Sequence, residues 1–582
     1  MSKFEAIYDK IFKNLYLLIP LLQFLLLESF SNKILMNSGP FLINIAIYYA
    51  VFLFLQVVFN RVGVSIIITS VLWGGIGIVN AMLLQFRQTP ILPWDLLSVK
   101  TALSVSSGYK LNFTPRIIIC LLCFALLILT GIYCVREKAF KITRKRLITS
   151  LVSLLLSIIL IFIVPFEGLG RYIPINEVNF QPDYQFSSNG FAFSFLRALK
   201  DTKIEKPSGY DEEKERKILK DAENITETDK KPNIIVIMNE AFSDLTILDD
   251  QLKTNEEVMP YISSLDKNVI KGNTVVSVRG GNTANSEFEF LTSMPYTFYP
   301  VGSVPYQQFI KGNIFSLPNY LKQFNYDTYA FHPAQGVNWN RDSVYPHLGF
   351  DNCIFAENLH ETKVENPITY RNMISDKTTY DYLIKHYENR DKNKNFFEFC
   401  VTLQNHGGYG EDMSAGFVPD IYAKNYNSDS LNIYLSLINK SDDAFKYLTE
   451  YFTDKEPTII LMFGDHQPSD EVTGCLKNSS SDIDKYTVPY VLWANYDIDT
   501  SVNYKTTSLN YLSLLLYKKA GIDINNEFYN KISDFQSNYP VISSHGIIDN
   551  SGQLFDYNKI KNNSIILDYR RLNYKLIEGK ED

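Results

Sequence analysis

The 582-residue chain has room for more than one folding unit, and its apolar residues, 46% of the total, crowd into roughly the first 165 positions. Lys and Arg (56) are outnumbered by Asp and Glu (63), and no basic stripe interleaved with aromatics occurs, which excludes a nucleic-acid-coating surface. Six cysteines give no legible disulfide framework, and Cys120 and Cys123, inside IIICLLCFALLIL, read as helix packing rather than a metal motif.

Five stretches, approximately 11–29, 41–59, 63–86, 117–135 and 147–165, are long and apolar enough to suggest helices crossing a bilayer, which takes about 20 residues. No small-residue cleavage site follows the first, so it is expected to stay as an anchor. Between the fourth and fifth lies REKAFKITRKR, with Arg136, Lys138, Lys141, Arg144, Lys145 and Arg146 against Glu137, a loop that belongs in the cytoplasm. Lys3, Lys10 and Lys13 share that side, and five crossings send residue 166 onward to the outer face; four or six would invert this. The outward loop 87–116 contains TPILPWDLL, which reads as an interfacial segment or as a plain connection.

Residues 166–231 read as a juxtamembrane amphipathic helix followed by a charged, solvent-exposed helix and linker, and the catalytic domain is expected over 232–582. There, short apolar runs at 233–238, 396–403, 457–463 and 488–493 suit strands buried on both faces, and 430–452 is amphipathic at helical spacing. The pattern predicts an α/β domain with a largely parallel central sheet, whose ligands gather beyond the carboxyl ends of the strands.

The informative residues follow those runs. Glu240 comes after the first, His406 after FCVTLQN, and Asp465 and His466 after TIILMFG. Carboxylates plus imidazole form a ligand set suited to Mn²⁺, Mg²⁺ or Zn²⁺. In VVSVRGGNTANSEFEFL, Gly280 and Gly281 precede a helix-like stretch, and either Thr283 or Ser286 reads as its N-cap. The glycines also let backbone approach an anion at a helix N-terminus, and a Thr hydroxyl coordinated to a divalent metal there becomes a nucleophile. FHPAQGVNWNRD adds His332, Trp339 and Arg341: Arg offers a two-pronged fork to phosphate and Trp a flat face to a small polyol, although either also suits a structural role.

The order NEAFSD, GGNTANSEFEFL, FHPAQGVNWNRD, TLQNHGG, FGDHQP resembles the lipoteichoic acid synthase family, polyglycerolphosphate transferases with five transmembrane helices and an extracellular sulfatase-like domain of the alkaline phosphatase superfamily. The resemblance implies a multi-pass cell-membrane protein with its catalytic domain outside. It implies Glu240, Thr283, Asp465 and His466 as ligands of a metal, usually Mn²⁺, with Thr283 doubling as nucleophile. It implies His332, Trp339, Arg341 and His406 as the residues that hold glycerophosphate. The expected donor is phosphatidylglycerol, and the expected acceptor a glycolipid, a polyglycerolphosphate chain or a polysaccharide. Ala241, where many members have Ser or Thr, the GGNTAN wording and the tail DYRRLNYKLIEG depart toward phosphoglycerol transferases that decorate glycans. Phosphoethanolamine transfer, sulfate-ester hydrolysis and a non-catalytic membrane sensor are the alternatives; a sulfatase proper would carry Cys or Ser in a C/S-x-P-x-R setting, which NTANSE lacks.

Overall fold

A computed structural model of the chain describes residues 16–30, 36, 38–87, 90–98, 113–135, 144–164, 173, 175, 182–199, 204–223, 227, 229–300, 302–410, 415–477, 481–502 and 506–578. The chain divides into two compact units, one of residues 1–99, 107–203 and 300–302, the other of the remainder.

The described part of each of the five apolar stretches lies chiefly on a helix of the first unit, Ile19–Phe30, Ser38–Phe59, Val62–Arg87, Pro115–Val135 and Arg144–Ile163, while residues 11–15 and 165 of those stretches lie outside the described residues. Among the described residues three segments, Gly39–Phe59, Val62–Gln85 and Pro115–Val135, are long and apolar enough to cross a membrane. The first helix is shorter, and the fifth opens on Arg144, Lys145 and Arg146. A Cβ on Gly63 would lie 2.5 Å from the carbonyl oxygen of Gly131, so the second and third of these segments touch where neither carries a side chain. Most of the basic loop, residues 136–143, lies outside the described residues. In the TPILPWDLL segment Pro93–Ser98 forms a short 3-10 turn with Trp94 buried. The Phe191–Ala198 helix, expected along a membrane surface, is tied into its unit: the Phe191 N–H donates to Glu28 at 2.8 Å and that of Phe193 to Asn44 at 3.0 Å.

The second unit is built on an eight-stranded sheet. In chain order the strands are β1 (Asn233–Asn239), β2 (Val269–Val275), β3 (Tyr326–Phe331), β4 (Asn352–Ile354), β7 (Asn395–Val401), β8 (Thr458–Gly464), β9 (Thr487–Ala494) and β10 (Thr506–Ser508). The short β5 (Thr369–Tyr370) and β6 (Met373–Ile374) form a separate hairpin. The sheet order is β10-β2-β9-β8-β1-β7-β3-β4. From β8 through β4 all neighbours are parallel, and only β9 runs antiparallel to both its neighbours. The central strands β1, β7 and β8 are buried along their whole length, as uninterrupted apolar runs require. The amphipathic stretch forms the Asp429–Phe452 helix, started by Ser428, whose side chain accepts from the Leu431 N–H.

The charged stretch before Pro232 is part of this unit rather than a linker outside it. Asp211 caps the Glu212–Ala222 helix, which buries Ile218 and Ala222 in the domain core. Arg571, on the C-terminal helix Ser564–Glu578, donates to the carbonyl oxygen of Ser208 at 2.9 Å. A charged composition hid a narrow apolar stripe.

Candidate metal centre

Strand register assembles the centre. Asn239 pairs with Gly464 across β1 and β8, so the next residues, Glu240 and Asp465, emerge side by side. Met238 pairs with Val401 and Phe331 with Cys400, which brings Thr402 and His332 to the same end of the sheet. The glycine loop arrives from β2: Arg279 bridges Gln467, and the Gly280 N–H donates to the Gln467 carbonyl at 2.9 Å. Asn282, left-handed at φ 65°, then turns the chain into the Thr283–Thr292 helix, whose N-terminus receives no side-chain cap. Neither hydroxyl acts as N-cap. Thr283 is the first helical residue, and Ser286 donates to the Asp465 carbonyl at 2.6 Å.

Glu240, Asp465 and His466 are buried, and their ligand atoms all lie within 4.8 Å of one another. The Thr283 hydroxyl donates to Glu240 Oε2 at 3.4 Å. His466 Nδ1 is 3.0 Å from the Gln467 carbonyl, which can only accept, so the neutral ring carries its proton there and turns a lone pair outward at Nε2. That Nε2 and Asp465 Oδ2 are buried without hydrogen-bond partners. Two orphaned acceptors beside a second carboxylate and a hydroxyl fit a divalent cation of the Mn²⁺, Mg²⁺ or Zn²⁺ type.

The charges tell the same story. Burial opposes ionisation of Glu240, but the His466 imidazole, its Nε2 3.5 Å from Oε1, and the nearby rings of His406 and His332 hold its carboxyl low, at about 2. Burial, with the Glu240 charge beside it, pushes Asp465 up. Burial lowers the basicity of His466, yet the two carboxylates raise it overall to about 9. The cluster has more negative charge than it can balance internally, and a proton on His466 competes with a metal for the same nitrogen.

Of the four further predicted residues, His332 and His406 lie near enough for their charge to act on Glu240, and Arg341 near enough to act on His332. His332 is buried, with Nδ1 3.0 Å from the Val401 carbonyl. Burial and the charge of Arg341 hold it neutral, at about 3, so Nε2 is an acceptor. Arg341 opens the Arg341–His347 helix and donates through Nε to Glu287 at 2.9 Å, and also through Nη2. Half of the expected fork is thus taken by a buried carboxylate, which also accepts from Tyr345 Oη at 2.8 Å. Trp339 is half-buried and packs partly on the core; it and Asn340 are both left-handed, at φ 57° and 65°, strain of the kind stored at binding sites. His406 lies in the partly buried loop after β7.

A polar network behind the ligands was not read from the sequence. Thr402 Oγ1 accepts the Glu240 N–H at 3.1 Å, and the buried Asp376 accepts from Asn239 at 2.8 Å and Ser441 at 2.6 Å. Its signal in the sequence was Asn239, the polar residue that directly follows the apolar run 233–238.

The comparisons with known proteins agree with this architecture. The sulfatase family matches residues 232–521. A Rhizobium meliloti (strain 1021) protein named for cyclic beta-1,2-glucan modification is 30% identical over 415 residues, 68% of this chain and 62% of its own length. The Staphylococcus saprophyticus lipoteichoic acid synthase is 28% identical over 252 residues, 41% of this chain and 36% of the synthase. The chain therefore spans less than two thirds of either relative. The structure of Streptococcus pyogenes phosphoglycerol transferase GacH in complex with sn-glycerol-1-phosphate superposes with a TM-score of 0.51 at 22% identity, covering 65% of this chain and 96% of that one. Residues 232–521 of this chain match the sulfatase family, and lipoteichoic acid synthases are among the proteins it is similar to.

Proposed function

We propose that the protein is a membrane-anchored phosphoglycerol transferase that moves glycerophosphate from phosphatidylglycerol to a cell-envelope acceptor through a covalent intermediate on Thr283. One observation carries this reading: the Thr283 hydroxyl, at a helix N-terminus, donates to Glu240 beside the unpartnered Asp465 Oδ2 and His466 Nε2. Five membrane crossings would put this domain on the outer face, next to a donor that stays in the outer leaflet.

Glu240, Asp465, His466 and Thr283 would hold the metal, Mn²⁺ being the expected one. When bound, a divalent cation supplies Lewis acidity that acidifies the Thr283 hydroxyl and offsets charge on phosphoryl oxygens. Thr283 Oγ1 bonds to phosphorus as the bond to the diacylglycerol oxygen breaks. His406 donates a proton to that leaving alkoxide as general acid. Arg341, oriented by Glu287, faces the phosphoryl oxygens with the nitrogen Glu287 leaves over, Nη1. Neutral His332 accepts from a glycerol hydroxyl through Nε2, and Trp339 offers its face to the glycerol carbons. An acceptor hydroxyl then attacks phosphorus and passes its proton to His406, now the base, as the bond to Thr283 Oγ1 breaks and returns the Thr283 alkoxide.

The extent of the relatives bears on the acceptor. Similarity to the protein named for glucan modification covers 68% of this chain, and similarity to the synthase 41%. This favours single glycerophosphate transfers onto a glycan over growth of a polymer.

The test uses the purified full chain in detergent with Mn²⁺ and headgroup-labelled phosphatidylglycerol or phosphatidylethanolamine. Label from phosphatidylglycerol should appear on Thr283 by mass spectrometry, and Thr283→Ala should neither acquire label nor release diacylglycerol. Normal turnover in Thr283→Ala, or transfer from phosphatidylethanolamine alone, would refute the proposal.

A further inference from the structure

The loop that carries His406 is held by an arginine from elsewhere in the chain. Arg371 is buried; its Nη1 donates to the Gly408 carbonyl at 2.7 Å, and its Nη2 to the carbonyls of His406 at 2.6 Å and Gln404 at 3.2 Å. Three alternate carbonyls thus converge on one guanidinium. The group also lies 4.8 Å from the centre of the Tyr409 ring, and Tyr409 Oη donates to a carbonyl between them, that of Asn405. From the other side, the Asp376 N–H donates to the Gln404 side chain at 3.0 Å, and Asn405 donates to Asn239 at 2.9 Å.

The backbone at Arg371 gives independent support. Tyr370 pairs with Met373, so β5 and β6 are joined by two residues, Arg371 and Asn372, both left-handed at φ 52° and 63°. A two-residue turn of this kind normally takes Asn, Asp or Gly, and a long side chain there carries strain. The hairpin keeps an ill-suited residue at its tip, and that residue reaches into the His406 loop.

We propose that Arg371 is a positioning residue: it fixes the backbone of His406 so that the imidazole meets the leaving alkoxide. The role rests on His406 acting as general acid. Arg371 itself need touch neither substrate nor metal. A lysine in its place has one nitrogen and cannot span the carbonyls of Gln404, His406 and Gly408 at once.

Leaving-group chemistry separates positioning from general support. The full chain with Mn²⁺ is assayed on phosphatidylglycerol, whose alkoxide needs a proton, and on the p-nitrophenyl diester of glycerophosphate, whose nitrophenolate does not. His406→Gln sets the scale, since loss of a general acid costs about 10²–10⁴-fold in rate. Arg371→Lys should lower kcat on phosphatidylglycerol by about 10–100-fold with KM little moved, and should raise the ratio of nitrophenyl to lipid turnover at least tenfold. Tyr409→Phe, a milder change to the same loop, should move the ratio in the same direction. Thermal unfolding and Mn²⁺ content report whether each variant is folded, and if Arg371→Lys is not, Tyr409→Phe carries the test. Equal losses on both substrates in the loop variants, while His406→Gln discriminates, would overturn the positioning role. No discrimination by His406→Gln would remove the general-acid reading, and this proposal with it.

Discussion

The main-chain N–H of Ala241 donates to Oδ1 of Asp465 at 2.7 Å, tying the turn after β1 to the carboxylate after β8. Ala241 is left-handed, at φ 48°, a conformation that costs a non-glycine residue energy and is retained only where surroundings enforce it. The bond occupies one carboxylate oxygen and leaves the other, Oδ2, turned into the cluster without a partner.

Asp465→Asn keeps an oxygen for Ala241 but puts an amide NH₂ at the position of Oδ2. Mn²⁺ affinity is expected to fall beyond the roughly 10–100-fold that loss of a merely supporting partner costs. Titration of the apo-protein with Mn²⁺ measures it, and affinity equal to that of the wild type would remove Asp465 from the ligand set.

Gly464 has no room for a side chain: a Cβ would lie 1.9 Å from the Phe242 carbonyl oxygen. Because the obstacle is backbone and Gly464 directly precedes Asp465, Gly464→Ala must shift one of the two strand ends. The expected result is a stability loss of about 1–3 kcal/mol, as overpacking produces, together with weakened Mn²⁺ binding. Denaturant unfolding and metal titration check the two effects separately.

Glu287 and Arg341 are a buried ion pair, at 0% and 2% side-chain exposure. Glu287→Met strands a buried guanidinium and should cost about 3–5 kcal/mol. The double variant Glu287→Met with Arg341→Met should be less destabilised than the sum of the singles by more than about 1 kcal/mol. Strict additivity in a double-mutant cycle would mean the pair does not hold Arg341 in place.

Burial pushes the Glu289 carboxyl up to about 8 against the usual 4.5, over the opposing hydrogen bonds from Tyr296 and Ser277. The folded chain therefore binds this proton more tightly than the unfolded one. Its contribution is fully present below pH 4.5 and is lost as pH rises through about 8. Each tenfold in proton affinity is worth about 1.4 kcal/mol, so the loss amounts to a few kcal/mol. The Tm of the wild type should fall across this window, and that of Glu289→Gln should fall less. Parallel Tm profiles would contradict the assignment.

The strands β1, β7, β8 and β9 were legible because a strand buried on both faces has to be an apolar run, and each such run in 233–493 became one. β3, YDTYAF, was missed because the adjacent polar residues Asp327 and Thr328 break its apolar run. The Glu212–Ala222 helix was misplaced outside the domain because composition records charge, whereas burial depends on which face two apolar residues share. Among the described residues three of the five apolar stretches have the length and polarity of membrane spans; the first stretch is described only from Tyr16, and the helix of the fifth begins with basic residues.

At the site, the sequence alone named the polar residues that follow the strands, because in a parallel sheet the chain leaves every strand at the same edge, where no ladder partner uses their side chains. It could not tell which atoms would be spent on the protein itself. That Glu287 takes half of the Arg341 fork, that Ala241 takes one oxygen of Asp465, and that Arg371 gathers three carbonyls of the His406 loop are decided by contacts between segments 33 to 224 residues apart. Sequence supplies the donors and acceptors. Which of them remain open to a ligand is settled only by three-dimensional packing, since a hydrogen bond has to be met within about 3 Å.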